Sequence, residues 1–352
     1  MPEVILVAGR GPMASRAIRS CQEAGAKVVA VYSEADANAQ HVRLADESVL
    51  LGAAEPETSY LDIAAVVEAA QVSGAQAVLP VHTILAGSSE FARATSRAGL
   101  LWIGAEPDAL EAARQYGWGA EVSDGGESPG WVIGLADGFR IDGLVVRRTR
   151  AGGASLCWTS AEEPDALAIN GLPPSAEILA ALSEVVVELG WRGLVSVAFS
   201  PNGAPVGVRG GVCTELGLVE LRAGRDLVQA ATALAEHVSP PAGSSGAPAA
   251  VGGTVRATAV PGEGKGVSIT QLTGPVGLDV QWEPGYAAGD QLSPWYDPVL
   301  AVLGVPGGDL SVAVNAFLHA ASTVSVADVP NDLDQLRARA DDVAGRLQDG
   351  SP

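Results

Sequence analysis

Gly9-Arg10-Gly11-Pro12-Met13-Ala14 has the spacing of the G-x-G-x-x-A dinucleotide fingerprint and lies between an apolar run and a helical pattern. Glycines there let backbone approach a pyrophosphate, and the helix start offers unpaired amides, although Pro12 removes one of those donors. Glu34 or Asp36, just past the next apolar run, could hold a ribose. The plainer reading, which we favour, is a tight turn with no ligand. Other chemistry is thinly represented. There is no G-x-S-x-G, no H-E-x-x-H and no Cys/His pairing of the kind nucleophilic catalysis needs. His41, His82, His237 and His319 do not cluster, and the last three read as surface or satisfied core residues. Cys21, Cys157 and Cys213 lack C-x-x-C spacing and read as buried small hydrophobes, so neither a disulfide framework nor a metal site is expected. Glu162-Glu163 and Asp341-Asp342 read as solvated faces.

The chain holds two lysines, Lys27 and Lys265. Phosphoryl chemistry needs fixed cations to neutralise the transferring group. Lys265 follows Pro261-Gly262-Glu263-Gly264, but no G-K-[ST] completes a phosphate loop, and both lysines read as surface residues.

The elements that must position these residues follow from hydrophobic period. Short apolar runs at Val4-Val7, Val28-Tyr32, Ser48-Leu51, Ala77-Leu79 and Leu100-Ile103 read as strands. Between them, helical patterns run from Pro12 to Gly25, Leu61-Ala70, Glu90-Ala98 and Pro107-Arg114. That alternation predicts a parallel, Rossmann-like α/β layer. Between Tyr116 and Gly130 the pattern breaks into Gly, Ser, Asp and Glu, which marks a boundary and a short exposed connection. Strands follow from Trp131, with a helix at Ser175-Leu189, the strand Leu194-Phe199, a turn at Pro201-Asn202-Gly203 and a helix after Gly224. Ser239-Gly246 reads as a linker, leading to a β-rich segment and two closing helices near Asp309-Ala321 and Asp332-Leu347.

With 41 acidic against 21 basic residues, a net charge of -20 and a pI near 4.5, the surface repels phosphate backbones and anionic lipid, which argues against nucleic-acid and membrane-surface roles. No basic leader or apolar run of spanning length is present, so a cytoplasmic, soluble protein is expected.

Gly9-Arg10-Gly11 with Arg16 and Arg19, then Val29-Asp36 and His41-Glu47, resembles the start of biotin carboxylase, and the likeness continues through Ser59-Tyr60-Leu61 to Trp102-Ile103-Gly104. After Pro80 the family has G-Y-G-F-L-S-E-N, where this chain has Val81-His82-Thr83-Ile84-Leu85-Ala86-Gly87-Ser88. Farther on, Glu127-Trp131 resembles a worn E-N-P-R-H, Leu135-Gly138 matches L-A-D-G, and Gly224-Val228 matches G-x-D-L-V. Trp282-Glu283 and Ser293-Asp297 resemble R-W-E and P-Y-Y-D-S. The resemblance implies a pre-ATP-grasp domain over 1–116, a truncated ATP-grasp-like domain over 117–240 and a small α+β biotin carboxylase C-terminal-like domain over 241–352.

It also implies which site residues are lost. The segment after Tyr116 leaves no room for the family's ATP lid, and Tyr116 stands where the family has its first lysine. The two magnesium-binding glutamates fall on Val197 and Arg209, the neighbouring asparagine on Gly211, and the bicarbonate-holding arginine on Gln281. Glu215 is a possible relic of the catalytic base. Valine and arginine cannot coordinate a hard dication. No M-K-M is present, and Met1 and Met13 are the only methionines, so no biotin is carried. These departures imply an inactive biotin carboxylase-like protein without cofactor or metal, serving as scaffold or regulatory subunit of an acyl-CoA carboxylase. The partner is expected to be a second copy or a carboxylase subunit, contacted through Arg16, Arg19 and Trp295-Tyr296-Asp297. The alternative is a small-molecule or nucleotide-binding protein, or an enzyme of a different reaction. It would use Gly9, Gly11, Glu34, Asp36 and an open cleft. A chain without a selected role is a third reading.

Overall fold

Strand β1 (Val4–Ala8) is apolar along its whole length because parallel neighbours flank both its edges and helices cover the layer. A computed structural model describes residues 1–117, 128–151, 154–162, 175–200, 202–259, 267–276 and 279–349. Strands β2 (Lys27–Ser33), β3 (Glu47–Gly52), β4 (Ala77–Pro80) and β5 (Leu101–Trp102) complete a parallel sheet in the order β3-β2-β1-β4-β5. This is the expected Rossmann-like layer. The strand order reverses between β1 and β4, so their carboxyl ends open a crevice there.

Helix α1 (Gly11–Glu23) starts at Gly11, one residue before the proline, and Gly11 leads the chain into it at φ +70°, which glycine allows. Gly25, at φ +88°, turns the chain out of it. Helices α2 (Gln40–Leu44) and α3 (Ile63–Val72) follow. The latter begins later than its apolar pattern suggests because Asp62 caps it, accepting from the Ala65 amide at 3.0 Å. The one-turn helix α4 (Thr83–Ala86) was not apparent from hydrophobic period, while α5 (Ser89–Arg97), capped by Ser88, and α6 (Pro107–Ala113) were. A short 3₁₀ turn over Arg114–Tyr116 leads out of the layer. Most of the expected exposed connection, residues 118–127, lies outside the described residues, as does Lys265.

Strands β6 (Ser128–Asp137), β7 (Ile141–Ala151), β8 (Ala154–Ser160), β9 (Arg192–Phe199) and β10 (Pro205–Arg209) are antiparallel. They carry helices α7 (Ser175–Glu188), α8 (Leu216–Ala223) and α9 (Leu227–Ala235). Helix α8 ends at Gly224, at φ +61°, and α9 starts beyond it. Sequence reading found only the second of the two.

Residues 239–247 have no regular structure, as a linker should, yet they do not lead to a separate sheet. Strand β11 (Ala249–Arg256) pairs with β8, and the eight-stranded sheet runs β10-β9-β6-β7-β8-β11-β16-β14. Short strands β12 (Val267–Ser268) and β13 (Gln271–Thr273) precede β14 (Gln281–Pro284); β15 (Gln291–Leu292) pairs with β12. Strand β16 (Val299–Gly307), helix α10 (Leu310–Thr323), strand β17 (Ser325–Ala327) and helix α11 (Leu333–Asp349) close the chain. The α+β segment expected from 241 onward therefore shares its sheet with the segment before it. Among the described residues no helix is long and apolar enough to cross a membrane.

Candidate functional site

A cleft of about 490 Å³ opens where the β1 and β4 ends of the parallel sheet face the larger sheet. One wall is Gly9–Met13 and Val81–Leu85. The floor is Trp131, Ile133, Arg148, Ser196 and Arg209, and Pro56, Glu57, Tyr60, Leu61, Val212–Glu215, Arg256, Trp295–Asp297 and Val299 complete the lining. The two loops of the first wall touch. A Cβ on Gly9 would come within 2.7 Å of Val81 Cβ, which explains a glycine at this otherwise unstrained position. Gly9 and Gly11 thus line the cleft, as expected of a ligand-facing turn.

The acidic partner of that turn is turned inward. Arg10 donates to both Asp36 oxygens, at 2.7 and 3.0 Å, and Tyr60 Oη donates to Asp36 at 2.7 Å. Asp36 is 3% exposed, and Glu34 is exposed but does not line the cleft. The expectation that either would hold a ribose is corrected: the Asp36 carboxylate is spent on Arg10. Burial raises its pKa, but the adjacent guanidinium outweighs this and holds it below the usual carboxylate range. Tyr296 lies 4.1 Å under the Arg10 guanidinium and meets Tyr60 edge-on at 5.5 Å. Behind the cluster, His41 is wholly buried, its Nε2 3.3 Å from the Val31 carbonyl.

Sheet parity decides the floor. Arg209 lies opposite Ser196 on β9, and Ser196 opposite Ile133 on β6, so these three side chains share the cleft face. Val197, fully buried, is on the other face and packs into the core under the parallel sheet with Val132 and Phe199. It therefore cannot stand where a cleft-facing metal ligand would, and the ungapped reading is corrected by one residue to Ser196. The Arg209 guanidinium stacks on the Trp131 ring at 4.1 Å. Arg148 Nε donates to Ser155 Oγ at 2.5 Å. Glu215, just before α8, accepts from Thr214 Oγ1 at 2.9 Å and lies 3.9 Å from Cys157 Sγ. Burial, with Glu215 adding to it, pushes the Cys157 and Cys213 thiols up to about 12, which disfavours the thiolate that a nucleophile needs.

The remaining sequence candidates are dispersed. Gly211, at φ +91°, sits where a Cβ would meet the Val81 carbonyl at 2.7 Å; it serves a close approach of loops. Gln281 packs its amide against Gly217 in a small crevice outside the cleft, beside Glu215 and Cys157. Tyr116 is half-buried against the core.

Arg16 and Arg19 are not an outward donor surface. Arg16 reaches Glu220 at 2.9 Å and Asp226 at 3.0 Å, while Arg19 pairs with Glu283. They join α1 to α8, to the cap of α9 and to β14 of the same chain. These carboxylates occupy both guanidinium groups within the chain, where the sequence led us to expect contacts with another subunit. The Trp295-Tyr296-Asp297 segment also makes contacts within the chain, although Asp297 is exposed. Tyr296 Oη reaches Ser33 Oγ at 2.6 Å, Asp297 pairs with Arg256, and all three residues line the cleft.

The fold is that of biotin carboxylase. The biotin carboxylase domain of a single-chain bacterial carboxylase superposes with a TM-score of 0.78 over 98% of this chain and 95% of its own, at 24% identity. The urea carboxylase of Kluyveromyces lactis gives a TM-score of 0.79 over 96% of this chain and 31% of its own, at 23% identity. In sequence, residues 1–110 match the biotin carboxylase N-terminal domain. Over 106 residues the chain is 47% identical to the biotin-dependent acyl-coenzyme A carboxylase alpha3 subunit of Mycobacterium leprae, covering 30% of this chain and 18% of that protein. It is 42% identical over 110 residues to the biotin carboxylase of Haemophilus influenzae, covering 31% of this chain and 25% of that one. The matches thus span a quarter or less of these relatives' lengths. Residues 1–110 are related to biotin carboxylases by sequence, and the whole chain shares their fold.

ATP with magnesium, which the family resemblance implies, does not fit the residues present. The cross-strand pair on the cleft face is Ser196 and Arg209, a hydroxyl and a cation, where a dication needs anionic oxygen. Among the described residues no three His, Cys, Asp or Glu side chains are grouped to hold a metal ion.

Proposed function

We propose that this protein is a biotin carboxylase-like subunit that does not carboxylate biotin and acts as a scaffold or regulator beside an acyl-CoA carboxylase. One observation carries the reading: Arg209, stacked on Trp131, brings a fixed positive charge into the cleft at the place the resemblance assigns to a magnesium-binding glutamate. A guanidinium repels a dication, and without that dication the phosphates of ATP lose the charge that neutralises them. Glu215 as a base then has no activated partner. The relatives are named as carboxylase subunits, which supports a carboxylase as partner. Self-association is the other arrangement.

The test is bicarbonate-dependent ATP hydrolysis and carboxylation of free biotin by the purified protein with magnesium. The expected rate equals that without protein. Turnover that co-purifies with the chain and is lost in Glu215→Gln would overturn inactivity. Affinity purification from the native host, expected to recover a carboxylase subunit, tests the partner.

A second reading, ligand binding for another purpose, is favoured by the cleft itself. It is of the size and apolar character of small-molecule sites and lies at the strand-order reversal.

A further inference from the structure

A second pocket, of about 160 Å³, lies where β5 and the start of α6 meet the start of β9 and the end of α9, and it shares no lining residue with the cleft. The backbones around it pack closely. A Cβ on Gly193 would come within 3.5 Å of Gly104 Cα, and a Cβ on Gly104 within 2.7 Å of the Trp102 indole nitrogen. That nitrogen donates to the Ala105 carbonyl at 2.9 Å, and the ring meets Phe91 edge-on at 5.1 Å. Trp102 is thus a fixed apolar wall, and Leu100 and Leu234 also line the pocket.

Two opposite charges line it as well, Arg192 and Glu106, and no ion pair joins them. Asp137, the residue opposite Arg192 across β6 and β9, is turned to the Phe139 and Arg140 amides, at 2.9 Å each. Arg192 is left half-buried with no hydrogen bond or ion pair to its guanidinium. Among the described residues, every other arginine that is buried or half-buried has a partner or a ring contact. Glu106 precedes α6 without capping it, so its carboxylate is not used by the helix. His237 adds a third polar group to the lining, and it holds φ +59° at the end of α9, where α8 has Gly224 at φ +61°.

We infer that this pocket binds a small zwitterion, a free α-amino acid with an aliphatic side chain. Its carboxylate meets the Arg192 guanidinium, its ammonium meets Glu106, and its side chain packs on Trp102, Leu100 and Leu234. Two opposite charges that share a pocket without satisfying each other are complementary to a molecule that carries both. The volume sets the size of that molecule: drug-sized ligands take about 300–1,000 Å³, so a nucleotide or a peptide is too large. The inference goes beyond the readings above and depends on neither.

Calorimetric titrations would use L-leucine, 4-methylpentanoate, which lacks its ammonium, and 3-methylbutylamine, which lacks its carboxylate. Leucine is expected to bind saturably, and each analogue at least about tenfold more weakly, the loss of one charge-assisted hydrogen bond. Arg192→Gln and Glu106→Gln should each weaken leucine by about tenfold or more. The losses should also be selective: Arg192→Gln leaves the amine's affinity unchanged, and Glu106→Gln leaves that of 4-methylpentanoate unchanged. Circular dichroism checks that each variant is folded, and Glu106→Gln, at an exposed residue, carries the test alone if Arg192→Gln is not. No binding of leucine, an analogue that binds as well as leucine, or unchanged leucine affinity in a folded variant overturns the inference. None of these results touches the readings of the cleft, whose probes are ATP, biotin and bicarbonate.

Discussion

His41 shows what a single buried residue does to the stability of this fold. Burial pushes its pKa down to about 4, and the nearby Arg10 charge works in the same direction, while the attraction of Asp36 opposes it only in part. The ring is therefore neutral in the folded chain over most of the range in which an unfolded histidine titrates, near 6.5. Above that pH both states are neutral and stability is unaffected. As pH falls from about 6.5 toward 4 the unfolded chain takes up the proton and the folded one does not, so stability is lost across that window, by about 3 kcal/mol in all. Urea unfolding from pH 7 to 4 should show this loss in the wild type and a shallower slope in His41→Asn; parallel slopes would mean that His41 is not the group responsible. Nothing in the sequence announces the cluster it belongs to. Asp36 read as a ribose ligand because it follows the second strand, and only the fold shows Arg10, Tyr60 and Tyr296 converging on it from three separate stretches of chain.

At the scale of elements, α1 is the part that holds the others in place. Arg16 bridges Glu220 in α8 to Asp226, which also caps α9 by accepting from the Gln229 amide at 2.8 Å. Ser20, one turn on, donates to the same Asp226 at 2.7 Å. Reversing the charge at Arg16 and Arg19 together would set two carboxylates against Glu220, Asp226 and Glu283. We expect a stability loss on the order of 3–5 kcal/mol, the usual result of breaking a buried pair. Lys27→Glu, at an exposed pair with Glu47, should cost less than about 1 kcal/mol. Denaturant midpoints read both. Equal effects would mean that the α1 arginines are ordinary surface charges. Hydrophobic period placed α1 to within a residue because its apolar face repeats every turn. The same method missed α2 and α4, which are too short to show a period, and it also missed α8. Parity failed for Val197 for a related reason. An alignment without gaps cannot tell which face of β9 a residue lies on, and a one-residue error exchanges core for cleft.

The whole molecule is joined by cores that ignore the three expected segments. One apolar cluster holds Ile5, Ala14 and Ile18 of the first segment together with Trp131, Leu218 and Leu227 of the second. Another joins Leu6 and Phe91 to Val132, Leu182 and Trp191, and a third joins Leu156 and Trp158 to Val251, Phe317 and Leu336. Scanning calorimetry should therefore show one cooperative transition, with calorimetric and van't Hoff enthalpies in agreement. Two resolved peaks would mean that the shared cores do not couple the segments. The order of segments was legible from composition, because turn-rich stretches do interrupt the apolar pattern near 117–130 and 239–246. Their interdependence was not, since the register that joins β8 to β11 is a contact between residues far apart in the chain.

That shared sheet also bears on inheritance. A gene crossover at the codons for 239–246 would fall in a stretch of irregular backbone where a break costs little locally. Yet it would pair β8 from one parent with β11 from another along Leu156–Ser160 and Ala249–Gly253. The two parents' residues would have to fit by alternation and by size at once. The segments on either side of 239–246 are therefore expected to descend together, and substitutions on either side of the β8 and β11 seam should be accepted in compensating pairs.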